Sequence, residues 1–188
     1  LNHFFVSSSS SSILFFVADK EKNVNSIMSK LRVEIARRLN LIDEKDFKFC
    51  WVVDFPLFEW NEEHGKWDAS HHIFTAPKKE HLDLIEKDPS KVYADLYDLV
   101  LNGIELGSGS IRETNLDIQE KLMKVIGLTH DEARKKFGFL MDAFKYGVPP
   151  HGGMGLGFDR IVALMCGYND IREVIAFPKN KDAECPMD

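Results

Sequence analysis

The stretch YDLVLNGIELGSGSIR, residues 97–112, indicates the fold more directly than the rest of the chain. It is rich in Val, Leu and Ile, which suit strands, and Asn102-Gly103 near its middle is a strong signal for a β-hairpin. We expect two antiparallel strands that meet at this dipeptide, or one strand that bends there. The stretch therefore favours an antiparallel sheet.

Outward from this hairpin, strand-like and helix-like segments follow one another along the chain. Strands are predicted at residues 13–18, at 47–60 with Pro56 at an edge or a bulge, and at the glycine-rich segment 152–158. Helices are predicted at residues 23–41, 78–87, 116–126, 131–144 and 159–166. This order favours a mixed α+β domain with a mostly antiparallel sheet flanked by helices.

Local signals mark several helix ends. Asp88-Pro89 should close the second predicted helix, because a residue before proline is pushed out of the helical region. Thr129 and Glu132 should form a capping box at the start of the fourth, and Gly167 should end the last.

Composition limits the class of protein. The chain has 188 residues, of which 44% are hydrophobic and 29% charged, and this suits one well-buried domain, or one domain and part of another. No stretch approaches the apolar length of a membrane span, and we read no targeting peptide in residues 1–6. The net charge of -6 argues against a protein that grips nucleic acid over its whole surface, so RNA contacts should be local or come from other parts.

Cysteine and serine usage adds two expectations. Cys50, Cys166 and Cys185 are far apart and form no CxxC pair, so neither a zinc site nor a disulfide framework is indicated, and a reducing, cytoplasmic setting fits best. Residues 7–12 are six consecutive serines, too polar to pack into a core, and we interpret them as a flexible surface loop.

The segment HGGMGLGFDR, residues 151–160, is the first candidate for chemistry. Its alternating glycines leave one face of a strand bare, so a flat ligand can lie close to the backbone. Arg160 at the start of the next helix can meet a phosphate, and the helix N-terminus adds positive potential. The spacing GxGxG is not that of a dinucleotide-binding fingerprint. The alternative is a glycine-rich turn with a surface arginine.

Glu105 and Arg112 lie in ELGSGSIR, seven residues apart, and would point to opposite faces of a regular strand. A bulge at Gly107 to Gly109 would bring both to one face. The carboxylate would then hold Mg²⁺ beside a triphosphate, and the guanidinium would bind a substrate carboxylate in bidentate fashion. The alternative is an exposed hairpin with unpaired charges.

Adjacent histidines, His71 and His72, stand in HHIFT. On an extended chain they point in opposite directions, so a single ligand-facing histidine is expected, and a surface or capping histidine is the alternative. The aromatic residues of WVVDFPLFEW, residues 51–60, are interpreted as core.

These motifs together resemble a known family. GLGFDR ahead of an apolar helix resembles motif 3 of the class II aminoacyl-tRNA synthetases. The ordered motifs WVVDFPLFEW, HHIFT, YDLVLNGIELGSGSIRE, KFGFLMDAFKYGVPPHGG and IREVIAFPKN resemble the bacterial aspartyl type within it. The resemblance covers nearly the whole chain from Ile13. It implies that residues 1–45 form the end of the GAD-type insertion domain and residues 46–188 the C-terminal part of the catalytic domain.

The resemblance also implies a function: activation of L-aspartate by Mg-ATP and transfer to tRNA. Glu105 matches the carboxylate for ATP and magnesium, and Arg112 matches the arginine that selects the aspartate side chain. His71 matches a histidine of the aspartate pocket. ATP binding falls to Gly157, Phe158, Asp159 and Arg160. Arg112 and Arg160 are the expected catalytic residues.

The implied partners are the tRNA for aspartate, with the tRNA for asparagine as an open alternative, and a second copy of the full-length enzyme in a cytoplasmic homodimer. We find no motif 1, motif 2 or anticodon-binding barrel, so a partial chain is expected. The competing interpretation is a non-catalytic synthetase-like module for nucleotide binding or assembly.

Three departures from the family pattern stand out. Ser108 replaces one of three glycines, and Ile73 stands where proline is common. Glu113-Thr114 replaces Ile-His, which is expected to place an extra negative charge beside the aspartate pocket.

Overall fold

A computed structural model describes residues 13–43 and 45–185, and these fall in two compact units, Leu1–Asp46 and Phe47–Asp188. The predicted serine loop at 7–12 lies outside the described residues. No helix in the described ranges is both long and apolar enough to cross a membrane.

The first unit contains the helix α1, Glu21–Arg38. It confirms the predicted helix but ends before Leu41. Glu21 in its first turn and Arg37 and Arg38 in its last turn complement the helix dipole.

The strand predicted at 13–18 is wrong. These residues have no regular secondary structure, and Phe16 is 85% exposed. An apolar run becomes a strand only where a partner takes up its backbone hydrogen bonds, and no strand in the described chain pairs with this one.

The second unit is built on antiparallel pairing throughout. Its strands are β1 (Phe49–Val53), β2 (Phe58–Asn61), β3 (Lys66–Ala69), β4 (Leu96–Leu101), β5 (Ile104–Ile111) and β6 (Gly152–Leu156). The main sheet has the order β1-β4-β5-β6, and β2 and β3 form a separate hairpin. The α+β class with a mostly antiparallel sheet is thereby confirmed.

The single strand predicted at 47–60 is instead two strands in different sheets. Asp54 has φ +62°, a left-handed conformation that aspartate tolerates better than most residues. Pro56 follows and has no N–H for a sheet ladder. The chain therefore turns between β1 and β2, and Asp54 pairs with Lys78 beside the turn.

The predicted hairpin joins β4 to β5. Asn102 and Gly103 both have positive φ, +50° and +83°, as a type I′ turn requires. Two strands, rather than one bent strand, are therefore formed. The Asn102 side chain also accepts a hydrogen bond from the Lys48 backbone N–H at 2.9 Å.

The helices of the second unit are α2 (Leu116–Val125), α3 (His130–Phe144) and α4 (Phe158–Met165). Thr129 and Glu132 form the expected capping box at α3, and Gly167 with φ +77° follows the end of α4. The helix predicted at 78–87 is a shorter 3₁₀ helix, Lys79–Leu84. Asp88 before Pro89 is non-helical, as expected, and two further 3₁₀ turns lie at Pro89–Lys91 and Ile171–Glu173.

Two apolar clusters hold these elements together. The first joins the β1–β4 connection to α2 and contains Leu57, Phe58, Ile85, Val92, Ala94, Leu96 and Leu122. The second packs α2 and α3 against the segment after β3 and contains Phe74, Met123, Ala133 and Met141. Because the first cluster includes Leu96 of β4, it packs against the main sheet.

Candidate functional site

The β-bulge that was expected in ELGSGSIR is present but lies elsewhere. Leu99 pairs with Gly107 while Val100 pairs with Glu105, so Leu106 is the extra residue. Gly107 to Gly109 pair regularly with β6 instead of bulging. The extra residue shifts the alternation of β5, which places Glu105 on the same face as Ser108, Ser110 and the following Arg112.

The glycines of β5 allow β6 to lie close. A Cβ atom on Gly109 would stand 2.2 Å from the Gly153 carbonyl oxygen, and one on Gly107 would stand 2.5 Å from that of Gly155. Side chains at these positions would push the two strands apart. The glycines therefore serve strand contact as well as the bare surface expected from the sequence.

Two adjoining cavities open along this part of the sheet. The first, of about 330 Å³, is lined by His71, His72, Thr75, Leu96, Ser108, Gly109, Ser110, Arg112, Gly153, Met154 and Gly155. The second, of about 360 Å³, is lined by Glu105, Leu106, Gly107, Ser108, Gly155, Leu156, Gly157, Asp159, Arg160 and Ile171. Ser108 and Gly155 belong to both, so the two form one groove.

Arg112 lies at the end of β5, in the first cavity. Its backbone N–H donates to the His151 carbonyl at 2.9 Å, and it forms a bridge with Thr75. Nη1 of its guanidinium is buried and has no hydrogen-bond partner among the described residues. An unpaired buried donor is costly, and a carboxylate ligand would satisfy it.

Both histidines of HHIFT line the first cavity. The expectation of one ligand-facing histidine assumed an extended chain, whereas Ile73 and Phe74 form a turn. The His71 ring packs edge-on against Phe55 with centroids 5.3 Å apart. His72 Nδ1 accepts a hydrogen bond from the Phe74 N–H at 3.2 Å.

The charge state of His72 is set by its surroundings. Although much of the residue is exposed, partial desolvation of the ring lowers the pKa of His72 from 6.5, and the positive charge of Arg112 lowers it further. Both effects favour the uncharged form of His72, so Arg112 is the main source of positive charge at this part of the cavity.

Arg160 and Glu105 meet in the second cavity. Arg160 Nη1 donates to the Glu105 backbone carbonyl at 2.8 Å and lies 3.4 Å from Glu105 Oε1. Gly157 N–H donates to the Leu106 carbonyl at 2.7 Å, which ties the start of α4 to the bulge. The side chains of Arg160 and Glu105 are each 47% exposed, so their ion pair adds little stability and both groups are accessible to a ligand.

Of the other residues expected to bind ATP, two line the second cavity and one is not in its described lining. Gly157 and Asp159 line the second cavity with Arg160. Phe158 is absent from the described lining and its side chain is 75% exposed at the start of α4. Its role in ATP binding stays a prediction.

Asp98 is a residue that sequence reasoning missed. It pairs with Ser108 in the β4–β5 register, and its Oδ1 is buried without a hydrogen-bond partner in the described part of the chain. Because side chains alternate along a strand, Asp98 shares a face with Val100, the partner of Glu105. A polar residue inside the apolar strand LYDLVL was the available signal.

Glu113 does not place its charge where the sequence suggested. It is 8% exposed, and its Oε1 accepts a hydrogen bond from the Asn115 N–H at 2.7 Å, at the start of α2. It is absent from the described lining of both cavities. Among the described residues, no group of at least three His, Cys, Asp or Glu is arranged to hold a metal ion alone.

Comparison with known proteins gives a consistent result. The family model for class II tRNA synthetases (D, K and N) matches residues 12–181. The chain is 57% identical over 175 residues to the aspartate–tRNA(Asp/Asn) ligase of Heliobacterium modesticaldum, covering 93% of this chain and 29% of the relative. It is 53% identical over 175 residues to the aspartate–tRNA ligase of Ruminiclostridium cellulolyticum, covering 93% and 30%.

Solved structures agree on the fold. The aspartyl-tRNA synthetase of Entamoeba histolytica matches 81% of this chain and 26% of its own, with a TM-score of 0.55 and 24% identity. The asparaginyl-tRNA synthetase of Pyrococcus horikoshii, complexed with asparaginyl-adenylate, matches 73% of this chain and 27% of its own, with a TM-score of 0.51 and 25% identity. The chain thus spans about 30% of the length of its curated relatives.

Proposed function

The chain belongs to the class II tRNA synthetase family for aspartate, lysine and asparagine, and from this premise we propose that it forms the C-terminal part of the catalytic domain of an aspartate–tRNA ligase. The proposed reaction activates L-aspartate with ATP to aspartyl-adenylate and then transfers the aspartyl group to tRNA. Relatives at 50–57% identity bear names of aspartate–tRNA ligases, which favours this function over a non-catalytic module.

The choice of aspartate as substrate rests on Arg112, whose buried Nη1 has no hydrogen-bond partner in the part of the chain that the structure describes. In the first cavity a substrate side-chain carboxylate can accept from the guanidinium, whereas a lysine ammonium would be repelled. An asparagine amide would present an N–H₂ group and no charge. His72, whose uncharged form is favoured, completes a polar wall around the carboxylate together with His71 and Ser110.

ATP is proposed to occupy the second cavity. Glycines 155 and 157 permit close approach of a flat base or a phosphate to the backbone, and Arg160 offers a guanidinium to the polyphosphate. Ser108 and Gly155, shared by both cavities, mark the place where ATP and aspartate would meet.

Magnesium is proposed to bind with the nucleotide. Asp98, whose Oδ1 has no hydrogen-bond partner among the described residues, lies on the same face of the sheet as the half-exposed Glu105, and carboxylate oxygens suit Mg²⁺ when phosphates supply the other ligands. The absence of a closed cluster of side-chain ligands in the described residues fits an ion that arrives with ATP. When bound, the ion would neutralise phosphate charge.

The chemistry proposed for these residues is alignment and charge stabilisation. An α-carboxylate oxygen of aspartate forms a bond to the α-phosphorus of ATP, and the bond from that phosphorus to the bridging oxygen breaks, releasing pyrophosphate. Arg112 fixes the amino acid through its side chain, and Arg160 stabilises the charge that develops on the leaving phosphates. This reaction needs little acid–base chemistry and depends on alignment and on stabilisation of charge by Arg112 and Arg160.

The proposed macromolecular partners are the tRNA for aspartate and a second copy of the full-length enzyme in a cytoplasmic homodimer. Charging of the tRNA for asparagine is also proposed for test, because relatives named aspartate–tRNA ligase and relatives named aspartate–tRNA(Asp/Asn) ligase match at similar identity. Charging assays with both purified tRNAs would decide between them.

Amino-acid-dependent exchange of pyrophosphate into ATP tests the proposed function. The full-length enzyme that contains this chain should exchange with aspartate and show little exchange with asparagine or lysine. Exchange that requires asparagine or lysine, or no exchange with aspartate, would refute the assignment.

A further inference from the structure

We infer that Gln119 is a positioning residue for the amino-acid cavity: its buried amide, on α2, holds the turn that carries His71 and His72. The inference rests on the proposed function, since it assigns the cavity to the aspartate side chain. It concerns a residue that contacts neither ligand but acts through the residues that line the cavity.

Gln119 is the most deeply buried polar residue described, with no exposed surface. Its Nε2 donates to the Ile73 carbonyl at 3.0 Å, which links α2 to a segment 46 residues earlier in the chain. The other buried residues of α2, Leu122 and Met123, are apolar and serve the two cores. A buried amide is costly unless it is hydrogen-bonded, and only Nε2 of Gln119 is, because Oε1 has no partner among the described residues.

The hydrogen bond completes a set of three on successive carbonyls. The His72 carbonyl accepts from Thr75 N–H at 2.9 Å, and the Phe74 carbonyl accepts from Glu113 N–H at 2.9 Å. The Ile73 carbonyl between them accepts from Gln119. The first two donors are backbone groups that no ordinary substitution removes. Gln119 is the one donor of the three that belongs to a side chain.

The turn that these bonds fix is part of the cavity wall. Within it, the Phe74 N–H donates to His72 Nδ1, which sets the ring orientation, and Thr75 Oγ1 donates to Ser110 Oγ at 3.5 Å. The positive charge of Arg112 also lowers the pKa of His72. If the Ile73 carbonyl loses its donor, the turn keeps two of its three hydrogen bonds but is held less firmly, and the two histidines can shift relative to Arg112. Aspartate binding should suffer while the second cavity, formed by β5, β6 and α4, stays intact.

The test replaces Gln119→Met in the full-length enzyme. Methionine has nearly the same length but cannot donate to the Ile73 carbonyl. Loss of one buried hydrogen bond and the resulting misalignment should raise the KM for aspartate about tenfold, while the KM for ATP stays within about twofold.

Leu122→Val is the matched control. Leu122 lies one turn further along α2 and is 1% exposed, but it belongs to the first core, the cluster that also contains Leu57 and Phe58. Its variant should lower the thermal midpoint and leave the KM for aspartate unchanged. Amide hydrogen exchange at Phe74 and Thr75 should accelerate in Gln119→Met and stay at the wild-type rate in Leu122→Val.

Two results would overturn the inference. One is an unchanged KM for aspartate in Gln119→Met, and the other is an equal rise in Leu122→Val, which would reduce the effect to general destabilisation. A wild-type enzyme without aspartate-dependent pyrophosphate exchange would refute the proposed function instead. In that event the rates of amide hydrogen exchange at Phe74 and Thr75 still decide whether Gln119 holds the turn.

Discussion

Arg112 is the residue on which the proposed specificity depends, because its buried Nη1 lacks a partner in the described chain. In the full-length enzyme, Arg112→Leu should lower kcat/KM for aspartate, because the substrate carboxylate is left desolvated and unpaired. The loss of transition-state stabilisation should be about 3–5 kcal/mol. Arg112→Lys should recover only part, because an ammonium keeps the charge and loses the planar fork. Pyrophosphate exchange with aspartate and with asparagine measures both effects.

Arg134→Leu is the control for this prediction. Arg134 pairs with a carboxylate of the chain itself, that of Asp142. It lies exposed on α3 and is outside the described lining of both cavities. Its variant should exchange like the wild type. If Arg112→Leu keeps the wild-type preference for aspartate, the assignment of Arg112 is wrong.

His72 makes a prediction about pH at the same scale. Its pKa in the folded protein lies below 6.5, so the unfolded chain binds the proton more readily. The free energy of unfolding should therefore fall as pH decreases from 6.5 through the folded-state pKa. His72→Gln removes this contribution. As the pH is lowered from about 7.5 to about 5.5, the thermal midpoint of the variant should therefore rise relative to that of the wild type.

Thermal midpoints of the wild type and of His72→Gln, measured over the same pH range, provide the comparison. A parallel pH dependence of the wild type and His72→Gln would contradict the account of the His72 environment.

At the scale of elements, the contact between β5 and β6 depends on glycine. Gly109→Ala would place a Cβ 2.2 Å from the Gly153 carbonyl oxygen and 2.6 Å from the Tyr97 ring. The strands must shift, and we expect a destabilisation of about 1–3 kcal/mol. Gly153→Ala is the control on the facing strand, because a Cβ there would meet nothing within 4 Å. Thermal midpoints of the two variants measure the difference, and equal midpoints would contradict the close strand contact.

Sequence reasoning succeeded for elements whose signals are local. The Asn102-Gly103 turn and the Thr129 capping box depend on neighbouring residues, and both form as expected. The errors at 13–18 and 47–60 concern pairing partners and a left-handed Asp54, which depend on the rest of the fold.

The site shows the same division. A bulge was foreseen because Glu105 and Arg112 needed one face, but its place at Leu106 follows from pairing with β4. The burial of Asp98 and the engagement of Glu113 with Asn115 likewise depend on tertiary contacts. Residue types indicated the chemistry, whereas three-dimensional packing decided which carboxylates face the groove.

At the scale of the whole molecule, the chain carries only part of what its relatives carry, about 30% of their length. Arg112 and Arg160 are the arginines in the described lining of the groove, and no lysine lies with them. They are proposed for the aspartate side chain and the polyphosphate. We propose that the α-phosphate is stabilised by a positive group outside these residues, because the described lining of the groove offers no third arginine and no lysine. The outer strands of the described main sheet also expose large apolar residues, with Trp51 58% and Leu156 57% exposed. The interpretation of the aromatic residues of 51–60 as core is therefore right for Phe58, which is buried, and wrong for Trp51 and Trp60.

The last prediction compares a polypeptide of these 188 residues with the full-length enzyme. Alone, it should show no measurable aspartate-dependent pyrophosphate exchange, because charge on the α-phosphate is not stabilised during the reaction. It should also bind more of a hydrophobic dye per chain, since the exposed strands β1 and β6 offer apolar surface. The full-length enzyme, assayed at equal concentration, should exchange and bind less dye. Robust exchange by the 188-residue polypeptide would show that Arg112 and Arg160 suffice for adenylation, and that the groove described here is catalytically complete.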